Sequence, residues 1–188
     1  DIFAMTSSID NSPDSPLDIE IIFKNGFPVG INDEFLTPVE IIKKANVLAG
    51  EHGYGRTDMI EDRVVGIKSR EIYETPGLLL LIKAHRELET LTLTHDLLDF
   101  KTTIEKKWAQ LVYQGYWFSP LKNSLDGFIH NTQEAVNGFV KIRLFKANAT
   151  VIGRASRNNS LYREDLATYS HEDNFNHQNA EGFIYMWG

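Results

Sequence analysis

Between Glu61 and Pro76 the chain reads Glu-Asp-Arg-Val-Val-Gly-Ile-Lys-Ser-Arg-Glu-Ile-Tyr-Glu-Thr-Pro, with charges of both signs crowded around an apolar centre of Val64, Val65 and Ile67. A core strand has no need of such flanks. Glu61, Asp62, Glu71 and Glu74 offer carboxylates to an ammonium, and Arg63, Lys68 and Arg70 offer cations to a carboxylate, so the run suits a pocket for a small zwitterion. The same residues also fit a strand and turn whose charges are simply solvated. Pattern alone leaves both readings open.

Other reactive side chains carry weaker signals. His171, Glu172, Asp173 and His177 lie close together, but their spacing matches no strong metal-ligand motif and the segment reads as an asparagine-rich loop. His85 falls on an otherwise apolar helical face, where a hydrogen-bonded core histidine is expected. Ser119, Ser156 and Ser160 have no neighbouring base that the sequence can identify, and Ser119 reads as a helix cap. No catalytic acid, catalytic base or metal site is assigned.

The elements that must position these residues are legible from period and punctuation. Residues 6 to 16 form a polar, proline-punctuated segment. Asp18 to Lys24 has strand-forming residues, and Asn25-Gly26 is a hairpin signal leading to Phe27-Pro28-Val29. Thr37-Pro38-Val39-Glu40 is an N-cap, a proline at the first helical position and a glutamate three residues after the cap. It predicts a helix to about Ala49 with Ile41, Ala45 and Leu48 on one face. Thr75-Pro76 opens a second helix whose face Leu78, Leu81, Ile82, His85 and Leu88 is expected to pack on a sheet.

Thr94 is expected to cap a third helix of roughly six turns, with Leu97, Ile104, Trp108 and Leu111 near one side. Ser119-Pro120 opens a fourth, carrying Leu121, Leu125, Phe128, Ile129, Thr132 and Val136 until Asn137-Gly138. Val140, Ile142 and Leu144 alternate with Lys141, Arg143 and Phe145, and a partner strand runs from Ala149 to Arg154. Gly182 to Trp187 reads as a last strand. Strands and helices in this segregated order predict an α+β fold, a mixed or antiparallel sheet packed with several amphipathic helices.

At 188 residues, 42% hydrophobic and 11% aromatic, the chain can bury one substantial core. Its net charge of −7 argues against nucleic acid as a partner, because counterion release needs clustered lysine and arginine. The absence of cysteine excludes disulfides and thiolate chemistry and fits a cytoplasmic location. Leu78 to Ile82, the most apolar run, is far shorter than the roughly 20 residues needed to cross a bilayer, so no membrane association is expected.

The run from Gly53 to Gly77, with His52 ahead of it, resembles the signature of the argininosuccinate synthase family. Three further blocks agree in the same order: Gln110 to Tyr113 leading into Gly115-Tyr116-Trp117-Phe118-Ser119-Pro120, then Gly153-Arg154 with Ser160-Leu161-Tyr162, then Ala180-Glu181-Gly182-Phe183-Ile184. The resemblance spans nearly the whole chain and is far more specific than a lone glycine pattern.

It implies an enzyme that joins citrulline to aspartate at the expense of ATP, through a citrullyl-adenylate that the aspartate amine attacks, with release of AMP and pyrophosphate. ATP, with magnesium, is expected to bind an N-terminal domain through a Ser-Gly-Gly-Leu-Asp-Thr-Ser loop. No such run occurs here, and His52-Gly53-Tyr54-Gly55-Arg56 is no substitute.

The resemblance places residues 1–16 as the approach from that other domain and 17–188 as the citrulline-facing, multimerisation domain, with its helical tail cut short. Arg154 and Tyr162 lie in family-like blocks and are expected to be structural. By the same resemblance Glu61 and Tyr73 are citrulline-binding, the assembly is a homotetramer, and this portion alone is inactive. The competing reading is a binding or oligomerisation scaffold of the same fold without chemistry. Without the resemblance, Glu61 is a surface ion-pair partner of Arg63 and Tyr73 a core aromatic.

Overall fold

The computed structural model describes residues 2–166 and 175–187. Its elements run β1 (Leu17–Lys24), β2 (Phe27–Ile31), β3 (Glu34–Phe35), α1 (Pro38–Glu51), β4 (Arg56–Asp62), β5 (Lys68–Glu74), α2 (Pro76–Thr92), α3 (His95–Tyr113), α4 (Pro120–Gln133), β6 (Gly138–Phe145), β7 (Asn148–Ala155) and α5 (Gln178–Trp187). Two antiparallel sheets result. One has five strands in the order β3-β2-β1-β6-β7, and the other is the isolated hairpin β4-β5. The architecture is α+β, as the segregated order of elements predicts.

The alternation in β1 and β6 sorts the large sheet into two faces. Ile19, Ile21, Phe23, Val140, Ile142 and Leu144 turn inward and are buried, together with Ile31 of β2. On the outer face the register sets Asp18 opposite Arg143 and Glu20 opposite Lys141. Arg143 clamps Asp18 through two bonds of 2.7 Å, which holds the Asp18 carboxyl below its usual range and raises the guanidinium.

Helices α1 and α2 cover the inner face. The predicted capping box is present: Thr37 Oγ1 accepts from the Glu40 amide while Glu40 accepts from the Thr37 amide at 2.9 Å. The start of α2 is different, because the Thr75 side chain makes no cap bond and Asn46 Oδ1 of α1 accepts from the Gly77 amide at 2.8 Å. The buried face of α2 is Leu80, Leu81, Ala84 and Leu88, whereas Leu78 and Ile82 are each 46% exposed and line a groove of about 470 Å³ with Phe27, Pro28, Leu36 and Ile42. The expected face is thus rotated. Two of its five members, Leu78 and Ile82, stand exposed in the groove beside the sheet edge rather than buried on the sheet.

Ser119 caps α4 as expected, accepting from the Lys122 amide at 3.2 Å, whereas the Thr94 side chain makes no cap bond to α3. The buried residues of α3 are Leu111 and, unexpectedly, Lys101. The Lys101 ammonium lies 2.9 Å from Glu89 and also pairs with Glu105, and the Glu89 carboxylate accepts from Gln133 at 2.7 Å. Burial lowers the ammonium's proton affinity, but the two carboxylates outweigh it and the net shift is upward. His85 completes this network, its Nε2 lying 2.7 Å from Gln133 Oε1, which is the hydrogen-bonded histidine that the helix face predicts.

The segment Gln178–Trp187 is a helix, not the strand that its apolar residues suggest. A short apolar run carries no period that separates strand from helix. The structure decides through Asn176, whose Oδ1 accepts from the Gln178 amide at 3.1 Å, and through the i, i+4 stacking of Phe183 on Trp187. Of the described residues, no helix is long and apolar enough to cross a membrane.

The Asn25-Gly26 turn has positive φ at both residues, 48° and 76°, as a two-residue hairpin requires. A Cβ at Gly26 would lie 2.2 Å from Gln133 Oε1, at the edge of the buried polar network. Gly26→Ala is therefore expected to lower the unfolding free energy by about 2–4 kcal/mol, read from the urea midpoint, since left-handed strain and overpacking add. A midpoint within error of the parent would contradict this packing.

Candidate functional site

The charged run folds into the β4-β5 hairpin. Its register pairs Thr57 with Tyr73, Met59 with Glu71 and Glu61 with Ser69, so Glu61, Glu71 and Tyr73 share one face, and Asp58, Asp62, Lys68 and Arg70 share the other. At the tip, Arg63 N donates to Ile67 O at 2.8 Å and Gly66 takes a positive φ of 81°. Val64, Val65 and Ile67 stand 65–78% exposed there.

Three cations of the hairpin, Arg63, Lys68 and Arg70, are paired within it. Arg70 forks onto Asp58 at 2.9 and 2.5 Å, Lys68 meets Asp62 at 2.6 Å, and Arg63 pairs with Glu71 while its Nε donates to Ser69 at 3.0 Å. Glu74, at the base, accepts from the amides of Ala4, Met5 and Thr6. That leaves Glu61. Among the described residues it has no ion-pair partner, and its Oε2 accepts from the Tyr73 hydroxyl at 3.0 Å.

This sorting corrects two expectations. Arg63, Lys68 and Arg70 are already engaged, so they do not form a free cationic half for a zwitterion's carboxylate. Glu61 is not the partner of Arg63, and Tyr73 is no core aromatic, being 40% exposed. The structure instead joins Glu61 and Tyr73, twelve residues apart, on an open face. A carboxylate beside a phenol accepts from an ammonium or from ureido N–H groups, and the phenol oxygen offers a second acceptor.

The pair is electrostatically coupled. Tyr73's phenol is pushed above its ordinary value, first by the hydrogen bond to Glu61 and then by partial desolvation and the nearby negative charge.

Of the remaining sequence candidates, Arg154 and Ser156 make structural bonds. Arg154 pairs with Glu87 at 2.6 Å, Ser156 Oγ accepts from Asn159 N at 3.3 Å, and Tyr162 is 58% exposed. His171, Glu172 and Asp173 fall outside the described residues, and His177 packs edge-on against Phe175. Among the described residues no group of three or more His, Cys, Asp or Glu side chains could hold a metal. The string His52-Gly53-Tyr54-Gly55 closes α1, with Gly53 N donating to Gly50 O and Tyr54 N to Ala49 O, both bonds of 2.9–3.0 Å. Those amides are spent and do not fit a triphosphate.

Three residues escape a reading by pattern. Thr6, Arg56 and Glu74 meet at the hairpin base although Thr6 and Glu74 are 68 positions apart. Local period and spacing carry no signal of so distant a contact.

Comparison with known proteins matches residues 1–188 to the family described as "Arginosuccinate synthase C-terminal domain". The chain is 82% identical to an argininosuccinate synthase of Prochlorococcus marinus strain MIT 9215, 81% to that of strain MIT 9301 and 64% to that of strain NATL1A. All of this chain is covered in each case, and 46%, 46% and 47% of the respective relative. The chain thus spans about half the length of these relatives.

Replacing Glu61 by Gln removes the charge that raises the phenol, so Tyr73 should ionise at lower pH in Glu61→Gln than in the parent. The parent's hydrogen bond persists above the unfolded tyrosine pKa and is lost as pH rises through the folded one. Ultraviolet difference titration reads the shift. Identical curves would mean that the contact is absent in solution.

Proposed function

Because this chain belongs to the argininosuccinate synthase C-terminal domain family, we propose that it is the citrulline-facing part of an ATP-dependent ligase that condenses citrulline with aspartate. The observation that carries the reading is Glu61, the hairpin carboxylate with no cation partner among the described residues, presented beside the Tyr73 phenol on an open face. A zwitterionic amino acid with a ureido tail supplies N–H donors for both oxygens.

In this reaction the ureido oxygen of citrulline displaces pyrophosphate from ATP. The aspartate amine then attacks the activated carbon and AMP leaves. Glu61 and Tyr73 bind and orient citrulline, and their contribution is positional rather than proton transfer. ATP and its magnesium are assigned to the remaining half of the longer protein, as the family resemblance implies; here the Gly53 and Tyr54 amides are already given to Gly50 and Ala49. The full assembly is a cytoplasmic homotetramer, the state that the family resemblance implies.

Two measurements test the reading. In the full-length synthase, Glu61→Gln should weaken citrulline binding roughly tenfold to a hundredfold, the range for one charge-assisted hydrogen bond, while ATP binding and the melting midpoint barely move. Unchanged citrulline affinity, or an equal loss for ATP, would place the substrate elsewhere. The present domain alone should release no pyrophosphate from ATP in the presence of citrulline and aspartate, because much of the binding energy lies outside it. Turnover above a blank would overturn this division of labour.

A further inference from the structure

The β4-β5 hairpin shares no strand pairing with the five-stranded sheet, so something other than the sheet must fix where it points. At its base Arg56 and Glu74 are directly opposed across the strands, yet they do not bond one another. Both reach to Ala4–Ser7 instead. The Glu74 carboxylate accepts from Ala4 N at 2.7 Å, Met5 N at 3.1 Å and Thr6 N at 2.9 Å, and also from the Thr6 hydroxyl. Arg56 Nε donates to Thr6 Oγ1 at 2.7 Å, and its Nη2 donates to the carbonyls of Thr6 and Ser7 at 2.9 and 3.1 Å. The guanidinium lies over the Phe3 ring at 3.7 Å.

Thr6, a buried residue, is the hub, its hydroxyl donating to the anion and accepting from the cation. Ser7 N in turn donates to Gly50 O at 2.9 Å, which ties the segment to the end of α1. Desolvation opposes the charge on Glu74, but the Thr6 hydroxyl and the three amides outweigh it and keep the carboxyl below its usual range, so these bonds engage the ionised form. A carboxylate held by successive backbone amides is a directional restraint, not a solvated charge.

We propose that Thr6, Arg56 and Glu74 form a clasp of positioning residues that sets the orientation of the hairpin and, through it, the placement of Glu61 and Tyr73 against citrulline. The proposal rests on the citrulline reading of that pair. The route is short: Glu74 is the neighbour of Tyr73 in β5, and Arg56 begins the strand that carries Glu61. In this reading the three clasp residues act through Glu61 and Tyr73 rather than on the substrate. Loosening the clasp lets the hairpin swing while its own ladder and ion pairs stay intact, so citrulline binding suffers before stability does.

The test uses the full-length synthase with Thr6→Val, which keeps the shape and removes the hydroxyl, Thr6→Ser, which restores it, and Glu74→Gln as a second lesion. The expected result for Thr6→Val and Glu74→Gln is a rise of about three- to tenfold in KM for citrulline, with KM for ATP and for aspartate within about twofold of the parent. Thr6→Ser should recover the parent value. Combined with Glu61→Gln, Thr6→Val should add less than it does alone, because the clasp acts through Glu61.

Parent-like citrulline KM in both Thr6→Val and Glu74→Gln would overturn the clasp, as would a uniform change in all three KM values that tracks a drop in melting midpoint. Glu61→Gln alone separates the two claims. If it leaves citrulline KM unchanged, the reading of the pair fails. If it raises that KM while Thr6→Val and Glu74→Gln do not, only the clasp fails.

Discussion

One apolar sheet face has to be covered, and α1 and α2 cover it by lying side by side at backbone distance. The Gly77 amide bonds Asn46 Oδ1 of the neighbouring helix, and a Cβ at Gly77 would lie 2.8 Å from Asn46 N and 3.0 Å from Ile42 O. Where α2 begins, a Cβ at Gly55 would fall 2.2 Å from Pro76 Cα, and Thr75 N donates to Gly55 O at 2.9 Å. The chain leaving α1 and the chain entering α2 are therefore pinned together. Everything between them must go out and come back at one point, which makes the charged run a projecting hairpin.

That geometry explains the chemistry of the hairpin. Far from the hydrophobic core, its side chains are ordered by charge rather than by packing, and exposed ion pairs are individually weak. Their value lies in allocation. Asp58, Asp62 and Glu71 absorb Arg70, Lys68 and Arg63, Glu74 is taken by the amides of Ala4–Thr6, and among the described residues Glu61 meets a phenol and no cation. A surface that looks like undifferentiated salt in one dimension becomes, once folded, a surface with one carboxylate in reserve.

The two hairpins of the large sheet were legible because period two, a buried face and a positive-φ turn agree in Asp18 to Val29 and in Val140 to Arg154, whereas the β1–β6 pairing that joins them was not. The capping box of α1 was legible for the same reason. Where the reading failed, tertiary contact had displaced local preference. Asn46 replaced the Thr75 cap and the groove beside β2 drew Leu78 and Ile82 off the sheet, whereas the apolar run Gly182 to Trp187 became helical with local contacts, the Asn176 bond to the Gln178 amide and the Phe183–Trp187 stack. The presence of Glu61 and Tyr73 was visible by resemblance, but which charges were already spent was not. That depended on strand register and on Ala4–Ser7 some 70 positions away.

The most direct measurement is the structure of the full-length synthase with citrulline bound. Polar atoms of the ligand are expected within hydrogen-bonding distance of both Glu61 and the Tyr73 hydroxyl, with Arg63, Lys68 and Arg70 still paired to Glu71, Asp62 and Asp58. Citrulline seated away from the hairpin, or held by those three cations while Glu61 faces solvent, would contradict the claim that Glu61 and Tyr73 are the part of the substrate site this domain supplies.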